Sequence, residues 1–207
     1  MDKTFIASQI YAKFSYQPTI NQKKIIESLA AYLADDDFRR IFVLNGYAGT
    51  GKTTLIAALV AALKQTGIKT VLLAPTGRAA KVLSRYSGEK ALTVHKRIYR
   101  ERTNAAYESK FSLGLNVEQN AVFIVDEASM LSSYGAGTGD ERTVFGSGSL
   151  LDDLMQYVRS GRQCRLILVG DNAQLPPVGA YFSPALEPGE MMSYGDVAYE
   201  SMDEVVR

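Results

Sequence analysis

Residues 41–54 read IFVLNGYAGTGKTT, and no other stretch of the chain restricts its fold so tightly. A short apolar run suited to a buried strand enters a glycine-rich turn, and an Ala- and Leu-rich segment of helical character follows at once. Gly46, Gly51, Lys52 and Thr53 fit the pattern G-x-x-x-x-G-K-[ST] with both required flanks in place. The spacing has a chemical reason. Backbone N–H groups of such a turn and of the helix start wrap a phosphate, the lysine reaches the β- and γ-phosphates, and the hydroxyl binds Mg²⁺. Ala48, Gly49, Thr50 and Thr54 complete the candidate phosphate cradle. ATP and Mg²⁺ are therefore the expected ligand and cofactor.

A phosphate turn of this kind sits on a parallel sheet, and the rest of the chain supplies one. Apolar runs at 41–44, 70–74, 121–125 and 165–169 alternate with helical stretches at 52–65, 77–85 and 150–160, the rhythm of repeated βα units. Residues 21–34 place Ile25, Ile26, Leu29 and Leu33 on one stripe, an amphipathic helix for one face of that sheet. The fold class is α/β, a P-loop NTPase with helices on both faces. Two segments break the rhythm. Residues 98–120 hold two β-prone stretches around TNAA, which predicts a small hairpin insert. Residues 132–149 are rich in Gly and Ser and predict a mobile loop.

Composition excludes several other classes. At 46% hydrophobic and 22% charged, with mean hydropathy −0.06, the 207 residues can bury a full core and are neither a disordered tail nor a coiled coil. The longest unbroken apolar run, residues 55–63, is about half of what a bilayer crossing needs. No membrane association is expected, and the opening residues show no secretory pattern. Cys164 is the single cysteine and His95 the single histidine, so a disulfide within the chain and a Cys/His zinc cluster are ruled out. A cytoplasmic, monomeric protein is the expectation.

Net charge is +1, but it is unevenly spread. Residues 78–110 carry nine Lys and Arg against three acidic residues, with Tyr86, Tyr99 and Tyr107 interleaved and Phe111 just beyond, whereas residues 184–207 carry one Arg against six acids. A basic stretch with aromatics suits a polyanion. It fits equally well as a solvated helix face plus a loop.

Two strand ends carry further chemistry. AVFIVDEASM places Asp126 and Glu127 at the end of a wholly apolar run, where the Asp of a P-loop enzyme holds the metal and a neighbouring Glu polarises the attacking water. LILVGDNAQLPPVG ends another run at Asp171, and Gln174 lies where a side chain reaches a γ-phosphate or its water. On its own that segment also reads as nothing more than a tight turn fixed by Pro176 and Pro177.

Taken in order, GYAGTGKTT, APTGRAAKVL, TVHKRI, FIVDEASM and GDNAQLPPVG resemble motifs I, Ia, Ib, II and III of superfamily 1 DNA helicases, in particular the RecD-like and Dda-like branch that moves 5′ to 3′ on single-stranded DNA. The resemblance runs over nearly the whole chain from about residue 19. It implies a RecA-like domain in which Lys52, Glu127 and Gln174 act on the γ-phosphate, Thr53 and Asp126 hold Mg²⁺, and Pro75, Thr76, Arg78, Thr93 and His95 lie on the DNA path. Lys96, Arg97 and Arg100 extend that basic path. Thr19-x-x-Gln22 resembles the family's adenine-reading Q motif and equally reads as a helix capping box, and the two are compatible. Residues 98–120 occupy the place of the family's strand-separating 1B hairpin, where Tyr99, Tyr107 and Phe111 either stack on bases or pack the hairpin.

The resemblance also implies what is missing. MDEVVR looks like the start of motif IV, with Arg207 as its γ-phosphate arginine, and the second RecA-like domain with its arginine finger is expected as a missing partner. One RecA-like domain spanning 1–207 is half of a motor. The alternative is a nucleotide-dependent DNA-binding module that switches without translocating.

Overall fold

The computed structural model describes residues 2–103, 109–133, 145–174, 176–177 and 180–205. In chain order the elements are α1 (Lys3–Tyr11), α2 (Ile20–Ala34), β1 (Ile41–Gly46), α3 (Lys52–Gln65), β2 (Lys69–Ala74), α4 (Gly77–Ser87), β3 (Ala91–Thr93), α5 (Val94–Ile98), the pair β4 (Tyr99–Thr103) and β5 (Ser109–Leu113), β6 (Ala121–Val125), α6 (Leu150–Ser160), β7 (Arg165–Gly170), α7 (Pro188–Met191) and β8 (Val197–Met202). Every strand and helix expected from periodicity is present. Five elements, α1, β3, α5, α7 and β8, go beyond what periodicity predicts. Four of them are short or weakly patterned. By contrast α1 does carry a readable stripe, with Ile6, Ala7 and Ile10 buried.

Six strands form one wholly parallel sheet in the order β3-β2-β6-β7-β1-β8. Alternation along each strand gives the sheet two apolar faces. Phe42, Leu44, Leu72, Ile124 and Val169 meet α1, α2 and α3 on one side. Ile41, Val43, Leu73, Phe123 and Leu168 meet α5 and α6 on the other. The strand order positions the site. Because β7 lies between β1 and β6, the turns after β1, β7 and β6 open side by side at the carboxyl edge, where open α/β sheets bind ligands.

Within residues 98–120, β4 and β5 pair antiparallel, Tyr99 opposite Leu113 and Thr103 opposite Ser109. Its tip at 104–108, with Tyr107, lies outside the described residues. The loop reading for 132–149 needs correction at its far end. Phe145 bridges Phe111 and stacks on it with ring centroids 4.4 Å apart, and the Gly146 N–H donates to the Phe111 carbonyl at 2.9 Å. Gly146 has φ +49°, and a Cβ there would collide with the Asp153 carboxylate, so glycine is required for this docking. Ser149 then caps α6. Residues 134–144 lie outside the described residues.

Candidate nucleotide-binding site

At the end of β1 the chain turns through Gly49 (φ +80°) and Gly51 (φ +92°), both in left-handed conformations that favour glycine. Gly46 is constrained differently: a Cβ there would lie 2.8 Å from Met202 Cβ on the neighbouring strand β8. The helix that follows is unusual among its neighbours. Asp2, Thr19, Thr76 and Ser149 each accept a backbone N–H at the start of α1, α2, α4 and α6. By contrast α3 begins at Gly51 with no side-chain cap and no acidic residue in its first turn. Its N–H groups are left for an external anion, the helix dipole favours one, and a phosphate therefore fits.

Lys52 Nζ donates to the Gly46 carbonyl and, at 2.9 Å, to the Tyr47 carbonyl. Burial pulls its pKa below the ordinary lysine value, against the opposing pull of Asp171, Asp126 and Glu127. Asp126 Oδ1 accepts the Glu127 N–H at 3.0 Å, and Oδ2 accepts the Tyr86 hydroxyl. Glu127 adopts φ +55°, ψ +37°, a left-handed conformation rare outside glycine and a strain that recurs at reactive positions. Burial raises the Glu127 pKa, Asp126 and Asp171 raise it further, and Lys52 and a side-chain hydrogen bond with Gln174 only partly offset this. A carboxylate above its usual range is suited to accept a proton near neutral pH.

These groups share one cleft of about 480 Å³, lined by Phe14, Tyr16, Gln17, Gln22, Tyr47, Ala48, Gly49, Gly51, Lys52, Thr53, Thr54, Asp126, Glu127 and Gln174. Thr50 lies beneath it, buried, its hydroxyl donating to the Tyr47 carbonyl at 2.8 Å. The donor set suits Mg²⁺: one exposed hydroxyl on Thr53 and one oriented carboxylate on Asp126, with room for phosphate oxygens and water. Gln22 completes the capping box, its Oε1 accepting the Thr19 N–H at 3.1 Å, while Nε2 donates to the Thr50 carbonyl at 3.2 Å. The capping geometry thus ties α2 to the phosphate turn. Sequence reading overlooked Phe14, Tyr16 and Gln17, whose signal was two aromatics just ahead of Thr19. Arg207 lies outside the described residues.

The basic stretch behaves otherwise. Arg78, Lys96 and Arg100 are exposed, though Arg100 donates to the Tyr99 carbonyl at 2.9 Å. Pro75 is half-buried, and Thr76 and Thr93 accept N–H groups as caps of α4 and α5. Arg97 is held differently from the exposed cations beside it: its guanidinium donates to Glu118 at 2.5 Å and lies 6.0 Å from the Tyr157 ring centroid. His95 packs between Tyr99 and Phe145, at 5.7 Å and 5.3 Å, and burial lowers its pKa. Tyr99 is buried and donates to Asp153 at 2.5 Å, which settles it as hairpin packing rather than base stacking. Phe111 is covered by Phe145. Among the described residues no helix is long and apolar enough to cross a membrane.

Comparison with known proteins adds to this geometry. A family model described as an AAA domain matches residues 21–138. The chain is 33% identical over 167 residues to the ATP-dependent RecD2 DNA helicase of Deinococcus radiodurans, a match covering 79% of this chain and 20% of that protein. It is 35% identical over 158 residues to the ATP-dependent DNA helicase dda of Enterobacteria phage T4, covering 73% of this chain and 29% of the relative. The matches thus span less than a third of these relatives. Among solved structures, the Bacteroides Pif1 helicase in complex with ADP-AlF3 and single-stranded DNA superposes with a TM-score of 0.56 over 91% of this chain and 43% of that one, at 17% identity, a likeness of fold.

Proposed function

Because this chain belongs to the AAA domain family and carries the RecA-like domain of RecD-, Dda- and Pif1-like superfamily 1 helicases, we propose that it is the ATP-binding half of an ATP-dependent DNA helicase. The observation that carries this reading is the convergence of Lys52, Thr53, Asp126, Glu127 and Gln174 on one cleft at the uncapped start of α3. In it, residues 1–207 act as one motor domain with the 98–120 hairpin as an appendage. Lys52 exchanges its two carbonyl partners for phosphate oxygens. Thr53 and Asp126 hold Mg²⁺, which would neutralise phosphate charge. Glu127 accepts the proton of the attacking water, and Gln174, hydrogen-bonded to Glu127, keeps that carboxylate facing the γ-phosphate.

Single-stranded DNA lies, in this reading, along Pro75, Thr76 and Arg78 and out to Lys96 and Arg100. A buried lone thiol at Cys164 suits a reducing cytoplasm. The arginine finger would come from a second RecA-like domain, and such a residue contributes roughly 10³ to 10⁵ in rate in related P-loop enzymes. The test is to measure DNA-stimulated ATP hydrolysis by the 207-residue chain with and without a RecA-like C-terminal portion supplied from a relative. Slow turnover alone, a gain of orders of magnitude on addition, and loss of that gain in Glu127→Gln are expected. Brisk turnover and strand separation by dilute monomer would overturn it, and ATP-gated DNA binding with no gain would favour the switch module.

A further inference from the structure

Tyr86 has no part in the motifs, yet its hydroxyl sits on the carboxylate assigned to the metal. Asp126 is held from two sides, by the Glu127 N–H on Oδ1 and the Tyr86 hydroxyl on Oδ2. An ionised carboxylate has about four lone-pair directions, so these two donors fix its plane and leave the remaining directions for a metal and its waters. The Tyr86 ring is half-buried and packed against the core layer under α1, α2 and α3, which fixes where that hydroxyl points. A phenol hydroxyl facing a carboxylate oxygen is the donor of the pair.

Tyr86 also stands near the C-terminal end of α4, a single unbroken helix whose N-terminal end presents Thr76 and Arg78. A short capped helix moves as a body, so what shifts its first turn shifts the ring at its last. We propose that Tyr86 is a positioning residue that links α4, and through it the nucleic-acid-facing Thr76 and Arg78, to the carboxylate that holds Mg²⁺. This rests on the proposed function above. A strand gripping α4 would then alter the fit of Mg²⁺ and nucleotide, and by reciprocity nucleotide would alter the grip on the strand by the same factor.

The experiment uses the 207-residue chain, a non-hydrolysable ATP analogue with Mg²⁺, and fluorescently labelled oligo(dT). Calorimetry gives nucleotide affinity with and without oligo(dT), and anisotropy gives oligo(dT) affinity with and without nucleotide. The parent chain should show a coupling factor of about 5-fold or more. Tyr86→Phe, which loses only the hydroxyl, should bring that factor close to one. It should also raise the Mg²⁺ concentration at half-maximal nucleotide binding several-fold, while melting temperature and metal-free nucleotide binding stay put. Tyr86→Leu must behave in the same way. Undiminished coupling and an unmoved Mg²⁺ midpoint in both variants would overturn the proposal while leaving the helicase reading intact. A parent chain that binds nucleotide but no oligo(dT) would overturn the nucleic-acid reading and this link together.

Discussion

Lys52 and Arg97 are both partly buried cations, and their partners differ in kind. The Lys52 ammonium donates to two neutral carbonyls, of Gly46 and Tyr47, in an open cleft. Arg97 donates to Glu118, a carboxylate whose side chain is only 8% exposed and which Lys69 also grips at 2.6 Å. Carbonyl bonds give way to charge-assisted bonds with phosphate, whereas withdrawing the guanidinium leaves a buried carboxylate with only the exposed Lys69 to compensate it. In this molecule the cation held by weaker partners is the one available for a ligand. A run of Lys and Arg reveals nothing of that distinction until the acids are placed beside it.

The contrast can be broken most sharply at Lys52. Lys52→Ala should weaken Mg²⁺-dependent ATP binding by at least about 100-fold, since charge-assisted bonds to phosphate contribute roughly 1.5–3 kcal/mol each, while the melting temperature holds. Calorimetry showing unchanged affinity would end the phosphate-site assignment. Arg97→Ala should do the reverse, with a loss of about 1–3 kcal/mol of stability that lowers Tm by several degrees and oligo(dT) affinity left within about twofold. Arg78→Ala supplies the control, since it should weaken oligo(dT) and flatten the salt dependence by about 0.7 of a log unit per lost phosphate contact without moving Tm. If Arg97→Ala instead melts like the parent and loses DNA, the two cations belong together after all.

Acid titration sharpens the same point with a smaller effect. Burial pushes the Glu118 carboxyl up, but hydrogen bonds and charges from Lys69 and Arg97 more than offset it and hold the pKa below the usual range. A depressed folded-state pKa contributes stability that is present above the unfolded value, about 4.3, and lost as pH falls through the folded one. The Tm deficit of Arg97→Ala should therefore be full at pH 7 and shrink below about pH 4. A deficit that stays constant to pH 3 would assign it to lost packing on Tyr157 instead. Glu127→Gln should show the smallest effect and the opposite sign. Its raised pKa means folding disfavours the charged form, so the variant should melt slightly higher than the parent at neutral pH, and the difference should fade on acidification.

What could be read from the sequence divides along the same line. The phosphate turn, the Asp126–Glu127 strand end and the order of apolar runs were legible because each is set by residues adjacent in the chain. The surroundings of Arg97, His95 and Tyr99 were not legible because their partners, Glu118, Phe145 and Asp153, lie 21 to 54 residues away and carry no pattern that announces them. The strand β8 escaped for another reason. As an edge strand reading VAYESM it is only half-buried along most of its length and lacks the continuous apolar run that marks its neighbours.

The pairing of β1 bears on how the molecule comes into being. The strand that carries the phosphate turn is hydrogen-bonded on one side to residues 166–170 and on the other to residues 197–202. Both flanks are made late. At about 5–20 residues per second, a ribosome takes roughly 6 to 25 seconds after finishing Gly46 to supply the first of them. Until then Phe42 and Leu44 have helices to rest on but no strand to pair with, and the nucleotide turn hangs from an unfinished sheet. Closing contacts so distant in sequence is slow, and an unpaired apolar strand is the kind of surface that chaperones engage. The nucleotide site is written in residues 41–54 and assembled only once residues 166–170 have been made, so ATP has little to bind on a nascent polypeptide that stops short of β7.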